Sequence, residues 1–305
     1  MEVNSPYIEQ VRLLIKLMPS VARQPCFALK GGTAINLFLR DTPRLSVDID
    51  LAYLPIADRE SSLAGIDAAL GAIAEDIERY IPRTQVKSST LKGTGMRFKL
   101  LVMQAEASVK IEVTPVLRGT VYPVESRRLA ERTEKAFGFA EMQLLSFEDI
   151  YAGKICAALD RQHPRDLYDV HWLLQNEGIG ERLKNAFLVY LMGHNRPMAE
   201  LLAPQPQDIT SLYRAEFTGL AYEPLELERL QETLPNLVAL LHRVLSDDDK
   251  QFLLALKQGT QDWQKFPLPE VERLPAIQWK IQNLARMNPS KRRQAITKLG
   301  NILFG

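Results

Sequence analysis

Cysteine is scarce in this sequence, with two residues among 305. Cys26 and Cys156 sit in apolar stretches at no metal-ligand spacing. The sequence therefore offers no disulfide framework and no thiolate metal site, and the two read as small buried side chains. Long hydrophobic runs are also missing. No stretch approaches the roughly 18 apolar residues needed to cross a bilayer, and the first residues lack the basic and apolar regions of a secretory leader. A cytoplasmic location without a membrane partner is the expectation. Charge of one sign is lacking too, since 38 Lys and Arg face 37 Asp and Glu for a net +1. No global field draws nucleic acid, so any such contact must be local. Internal repeats and low-complexity segments are absent. What remains is 46% hydrophobic and 25% charged residues, the balance of a globular chain. Its length exceeds the usual span of about 100 to 200 residues for one domain, which favours two domains or one elaborated domain.

Two stretches carry base without acid. Residues 82–105 hold Arg83, Lys87, Lys92, Arg97 and Lys99, and residues 280–305 hold Lys280, Arg286, Lys291, Arg292, Arg293 and Lys298. They could grip a phosphate backbone, although a solvated face explains such runs equally well.

Periodicity organises the rest. Ser5 and Pro6 read as a cap and first helical residue, and Ile8, Val11, Ile15 and Met18 then recur on one helical face. Phe27-Ala28-Leu29 reads as a short strand running into Lys30-Gly31-Gly32-Thr33, with a helix from Ala34 that Thr33 would cap. Val47-Asp48-Ile49-Asp50-Leu51 alternates apolar and acidic residues as a strand does. Leu63, Ile66, Leu70, Ile73 and Ile77 mark a long amphipathic helix. Residues 96–103 and 108–113 suit a hairpin. Ser146 and Asp149 form a capping-box pattern ahead of a helix over 150–159, and Gly178 follows a helical run over 167–174. Pro204, Pro206, Pro224 and Pro235 are expected to break the later chain into short helices, and Pro267, Pro269 and Pro275 to mark an extended link. The fold class is α/β (α+β): a mixed sheet with flanking helices over residues 1–140, then a helical domain over 141–305.

Two features carry chemistry. Carboxylates at i and i+2 of a strand, Asp48 and Asp50, project from one face about 6 to 7 Å apart and can share a divalent ion. Surface Asp-x-Asp triplets are common, yet Asp is a poor strand former. Gly31 and Gly32 let the backbone approach a ligand, and N–H groups at a helix start bind phosphate. A Gly-Gly-Thr turn alone is often only a turn; its position shortly before the Asp-x-Asp strand joins the two. Two-metal phosphoryl transfer calls for a third carboxylate. Glu112 is the candidate, sharing a strand face with Lys110 and Thr114, though a solvent-facing Glu on an edge strand would look the same.

These residues resemble the AbiEii/AbiGii toxin family, which includes the MenT-type toxins and belongs to the DNA polymerase β-like nucleotidyltransferases. Lys30-Gly31-Gly32-Thr33-Ala34 together with Arg44-x-Ser46-x-Asp48-Ile49-Asp50-Leu51 is similar to its first motif. Residues 150–169 resemble its later Lys and Arg-Asp-x-x-Asp motif, and residues 252–284 its C-terminal region. The resemblance implies a nucleotidyltransferase-like sheet and a toxin of a toxin–antitoxin (abortive-infection) system that moves a nucleoside monophosphate from an NTP to RNA. The implied acceptor is the tRNA 3′ end. It implies Mg²⁺ or Mn²⁺ on Asp48 and Asp50, to which the strand pattern adds Glu112 as the candidate third carboxylate. Lys30, Gly31, Gly32 and Thr33 would hold the nucleotide phosphates, and Arg44 and Ser46 would shape the strand entry or contact phosphate. Lys154 would meet the triphosphate, and Asp166 or Asp169 would complete the catalytic set. A cognate antitoxin encoded nearby would be the partner. Transfer to a small molecule or protein, or non-catalytic nucleotide binding, stays open.

Overall fold

The structure is a computed structural model and describes residues 5–305. Helix α1 (Ser5–Ala22) buries Val11, Leu14, Leu17 and Met18, the face that the spacing predicts. The Ser5 side chain, expected to cap it, lies outside the described residues. Strand β1 (Phe27–Lys30) passes directly into one turn of helix α2 (Gly31–Thr33), which widens into a π-helix over Ala34–Leu39. Strand β2 (Asp48–Tyr53) follows, then α3 (Arg59–Tyr80), whose N-cap Asp58 accepts a hydrogen bond from the Ser61 amide at 2.9 Å. Leu63, Ile66, Leu70, Ile73 and Ile77 are all buried on α3. Burial of each contributes about 1.5 to 3 kcal/mol relative to exposure, enough to fix this helix on the sheet.

Strands β3 (Thr84–Thr90), β4 (Arg97–Gln104) and β5 (Ala107–Arg118) form a meander. Strand β6 (Glu125–Arg128), helix α4 (Glu131–Phe137) and strand β7 (Glu141–Leu144) complete a seven-stranded sheet in the order β3-β4-β5-β2-β1-β7-β6. The β2–β5 and β1–β7 pairs are parallel and the others antiparallel. Helices α1 and α3 pack together on one face, where Ile49, Leu51, Leu100, Val102, Ile111 and Val113 form the core. The alternating residues of β2 and β5 thus point to the opposite face. β3 and β6 escaped the periodicity because both are edge strands with mostly exposed polar residues, Thr84–Thr90 and Glu125–Arg128. An edge strand buries too little to need an apolar face.

By compactness the chain divides at Ile150, ten residues beyond the division expected from sequence, and Glu216–Pro224 returns to the first unit. Strand β7 explains the shift, since its hydrogen bonds to β1 hold residues past 140 in the sheet. The returning segment is tied by its own backbone, with Leu45 N bonding Leu220 O and Tyr222 N bonding Pro43 O, both at 2.9 Å. The division falls inside α5 (Phe147–Arg161).

The second unit is helical. It contains α6 (Pro164–Asn176), α7 (Glu181–Gly193), α8 (Met198–Leu202), the single turn α9 (Thr210–Leu212), α10 (Leu227–Val244), α11 (Asp247–Gln258), α12 (Pro275–Ala285) and α13 (Pro289–Phe304). α6 packs on α10, α7 on α12, and α13 on both α8 and α11. Two proline expectations are corrected. Pro235 lies inside α10, where the buried stripe Leu230, Leu234, Leu237 and Leu241 outweighs the lost backbone bond. Pro275 opens α12 as its first residue, where proline's missing N–H costs nothing. Pro204, Pro206 and Pro224 do stand between helices. Among the described residues no helix is long and apolar enough to cross a membrane.

Candidate functional site

The glycine turn and the two aspartates meet in the first unit. β1 and β2 pair antiparallel with Lys30 opposite Asp50, so the α2 start falls beside the second carboxylate. Gly31 has φ +74°, and a Cβ there would come within 2.6 Å of Asp50 Oδ2. Both backbone and space therefore require glycine. Gly32 is closed in from another side: a Cβ on it would meet Arg44 Nη2 at 2.7 Å and Ser46 Oγ at 3.1 Å. The glycines thus allow the residues that the first motif joins to pack at van der Waals distance.

Thr33 does not cap the helix. It lies within the helical backbone and makes no capping bond. Its Oγ1 instead donates to the Asp48 carbonyl at 2.5 Å and lies 2.9 Å from Ser46 Oγ. The cap reading failed because the helix begins two residues earlier, at Gly31. What Thr33 does is fasten the helix start to the strand that presents Asp48. Arg44 is 2% exposed and donates Nη1 to the Leu45 carbonyl at 2.8 Å. That bond ties the side chain to the backbone just ahead of β2.

Asp48 and Asp50 alternate with buried Ile49 and Leu51, and both remain partly open on the sheet face away from α1 and α3. The parallel register with β5 sets Asp48 opposite Lys110 and Asp50 opposite Glu112. Lys110 Nζ lies 3.5 Å from Asp48 Oδ1, and Lys99 Nζ of β4 lies 3.5 Å from Glu112 Oε2. One row across four strands therefore reads Lys30, Asp50, Glu112, Lys99. The structure brings Glu112 beside Asp50 as the third carboxylate of this face. Lys99 was missed, because only the β4–β5 register places it there. Arg97, from the same basic stretch, is bound to Asp67 of α3 through two side-chain bonds of 2.8 and 3.1 Å. That stretch is therefore partly neutralised within the fold.

No group of three His, Cys, Asp or Glu side chains stands preassembled as a metal site among the described residues. The donor set still suits a hard cation, because Mg²⁺ is commonly held by one or two carboxylates while phosphate and water supply the remaining oxygens. Asp48 and Asp50 fit that role, with Glu112 in reserve behind Lys99.

Lys154, Asp166 and Asp169 assemble in the helical unit. Asp166 and Asp169 are three residues apart and share one face of α6. Lys154 Nζ on α5 lies 2.7 Å from Asp166 Oδ1 and 3.0 Å from Asp169 Oδ2. Arg161 Nε adds a 2.5 Å contact to Asp166 Oδ2. Both aspartates are buried, and the Lys154 side chain is 7% exposed. Burial would raise the Asp166 carboxyl, but Lys154 and Arg161 hold it well below the usual carboxylate range. Two acids and two bases make a neutral cluster, the condition under which buried charge is tolerated. Both aspartates contact the lysine, so the geometry does not single out one of them. At the expected capping box Ser146 Oγ accepts from the Asp149 amide at 3.0 Å. The Asp149 carboxylate accepts from the Ser146 hydroxyl at 2.8 Å and from the amides of Val121 and Tyr122, both at 2.9 Å.

Comparison with known proteins decides the family. The model of the nucleotidyl transferase AbiEii toxin family, type IV toxin–antitoxin system, matches residues 12–283. The chain belongs to this family. Among solved structures it is similar to MenT4, a nucleotidyltransferase toxin from Mycobacterium tuberculosis H37Rv, with 16% identity and a TM-score of 0.57 over 97% of this chain and 93% of that one. At that identity the likeness establishes the fold, a nucleotidyltransferase-like mixed sheet with a helical C-terminal half. A search of curated proteins gives no match. The AbiEii match covers the glycine turn, the Asp-x-Asp strand, Glu112 and the Lys154 cluster alike.

Proposed function

We propose that this AbiEii-family toxin transfers a nucleoside monophosphate from an NTP to an RNA acceptor, the tRNA 3′ end in the first instance, with release of pyrophosphate. The observation that carries the reading is the close packing of Gly31 on Asp50: a helix start lies against a carboxylate face. Amides at a helix start attract phosphate, and Lys30 stands in register beside Asp50. In the reaction the acceptor hydroxyl oxygen bonds to the α-phosphorus while the bond to the β-phosphate oxygen breaks. Pyrophosphate leaves with that electron pair, and the hydroxyl proton passes to a carboxylate of this face or to water. Gly31, Gly32 and Thr33 bind and orient the triphosphate. Asp48 and Asp50, with Glu112, would hold Mg²⁺, which when bound neutralises phosphate charge.

Arg44, Ser46 and Thr33 act by holding the strand and the helix start in place. Lys154, Asp166 and Asp169 keep the catalytic roles that the family resemblance gives them, and their mutual pairing supports a positioning contribution. A cognate antitoxin and a cytoplasmic site of action complete the reading. The test is incubation of the purified protein with each α-labelled NTP, Mg²⁺ and total RNA. Label in the tRNA band is expected. Label confined to small molecules, or none in any fraction, would overturn the RNA reading.

A further inference from the structure

The open face of the central strands balances its charges. Lys30, Lys99 and Lys110 stand in register with Asp48, Asp50 and Glu112, three bases for three acids. Lys110 lies on β5 directly opposite Asp48, and its Nζ comes within 3.5 Å of Asp48 Oδ1. Lys99 makes the same approach to Glu112 from β4, also at 3.5 Å. Asp50 adjoins both pairs, two residues from Asp48 on β2 and opposite Glu112 on β5.

The pair of Lys110 with Asp48 is not a strut of the sheet. The Lys110 side chain is 49% exposed and that of Asp48 30%, and an ion pair so open to water is weakly held. The β2–β5 ladder rests instead on backbone bonds and on the buried Ile49, Leu51, Ile111 and Val113. The Asp48 carbonyl is fixed by the Thr33 hydroxyl, so a change of partner at the carboxylate leaves the backbone in place. Lysine is a compact charge on a flexible stem, and phosphate accepts it as readily as carboxylate does. Lys110 and a divalent ion call for the same carboxylate, and like charges at that range oppose each other. Phosphate arriving with the ion gives the ammonium another acceptor.

We propose that Lys110 couples metal entry to nucleotide entry: it holds the Asp48 carboxylate against a bare divalent ion and gives it up for the phosphates of an incoming metal–NTP complex. This rests on the metal role proposed above for Asp48 and Asp50. The probes are Mn²⁺ alone, followed by electron paramagnetic resonance, and inorganic tripolyphosphate in EDTA, followed by calorimetry, each titrated into the full chain. Lys110→Met keeps the apolar stem and removes the charge. It should bind Mn²⁺ at least about tenfold more tightly than wild type and tripolyphosphate about tenfold more weakly. A purely structural role would weaken both together. Lys110→Arg keeps the charge and should bind Mn²⁺ as wild type does. Lys16→Met makes the same charge change at an exposed position of α1, on the other face of the sheet, and should alter neither affinity. If Lys110→Met fails to fold, Lys110→Gln is titrated in its place. An equal gain in Lys16→Met, or a gain for Mn²⁺ with no loss for tripolyphosphate, overturns the coupling. So does the absence of any gain in Lys110→Met. Asp48→Asn, titrated with Mn²⁺ alongside, tells whether the metal reading falls as well: binding weaker than wild type upholds that reading, and equal binding ends it together with this proposal.

Discussion

Asp50 Oδ2 occupies the space that a Cβ on Gly31 would need, 2.6 Å from it. The glycine turn and the Asp-x-Asp strand are therefore one packed unit, and the contact can be broken by a single methyl group. Gly31→Ala would also force alanine to φ +74°, a conformation that costs an L-residue about 1 to 2 kcal/mol. We expect a stability loss of at least that size in urea unfolding and loss of transfer activity. Wild-type turnover in a folded Gly31→Ala protein would separate the turn from the chemistry.

Asp48→Asn and Asp50→Asn each remove a charge from a partly open face without disturbing the buried residues between them. Both variants should fold, with far-ultraviolet circular dichroism and melting temperature close to wild type, and both should lose label transfer to RNA. Asp48→Asn also frees Lys110, 3.5 Å away, so it should show the weaker response to added Mg²⁺ in any residual activity. Undiminished turnover in either variant would dismiss the metal role of the pair.

The parts of this arrangement legible in the sequence are those set by local periodicity. Alternation around Ile49 places Asp48 and Asp50 on one face, and the 3,4 spacing from Leu63 to Ile77 predicts the helix that covers the other. The row Lys30, Asp50, Glu112, Lys99 was not legible beyond its members, because it depends on strand register between residues far apart in sequence. Thr33 illustrates a second limit. Its hydroxyl suits a cap by type, but the helix starts at Gly31 and the hydroxyl is used on the Asp48 carbonyl. Edge strands β3 and β6 show a third, since nothing in a polar exposed segment marks it as strand before its neighbour is known.

Lys154 and Asp166 make a coupling that pH should reveal. The Asp166 carboxyl is held below its ordinary range in the folded chain, so the stability it contributes is fully present above the unfolded pKa of about 3.9 and lost as pH falls towards the folded value. Asp166→Asn should lower unfolding stability by about 3 to 5 kcal/mol at pH 7, the cost of breaking a buried pair. The difference from wild type should shrink below about pH 4, where unfolded Asp166 begins to bind its proton. A gap that stays constant from pH 7 to pH 3 would show that Asp166 contributes no charge-dependent stability.

The C-terminal helix α13 presents fewer free cations than its sequence suggests. Arg292 is turned to the Lys257 carbonyl, and Lys298 lies 3.8 Å from Glu200. Leu299 and Leu303 anchor the helix by burial, which leaves Lys291 and Arg293 exposed as contacts for an RNA backbone. Each phosphate contact on a single strand contributes about 0.7 to the slope of log K against log salt. Replacing Lys291 and Arg293 together with Gln should therefore flatten that slope by about 1.4 if both contact phosphate. NTP binding, measured on the same preparation, should stay unchanged, because the glycine turn and Asp48 lie in the other unit of the chain. The competing account is that these charges only keep an amphipathic helix soluble on its outer face. An unchanged slope and RNA affinity in the double variant would decide for that account. The search for the acceptor surface would then pass to Lys87 on the exposed edge strand β3.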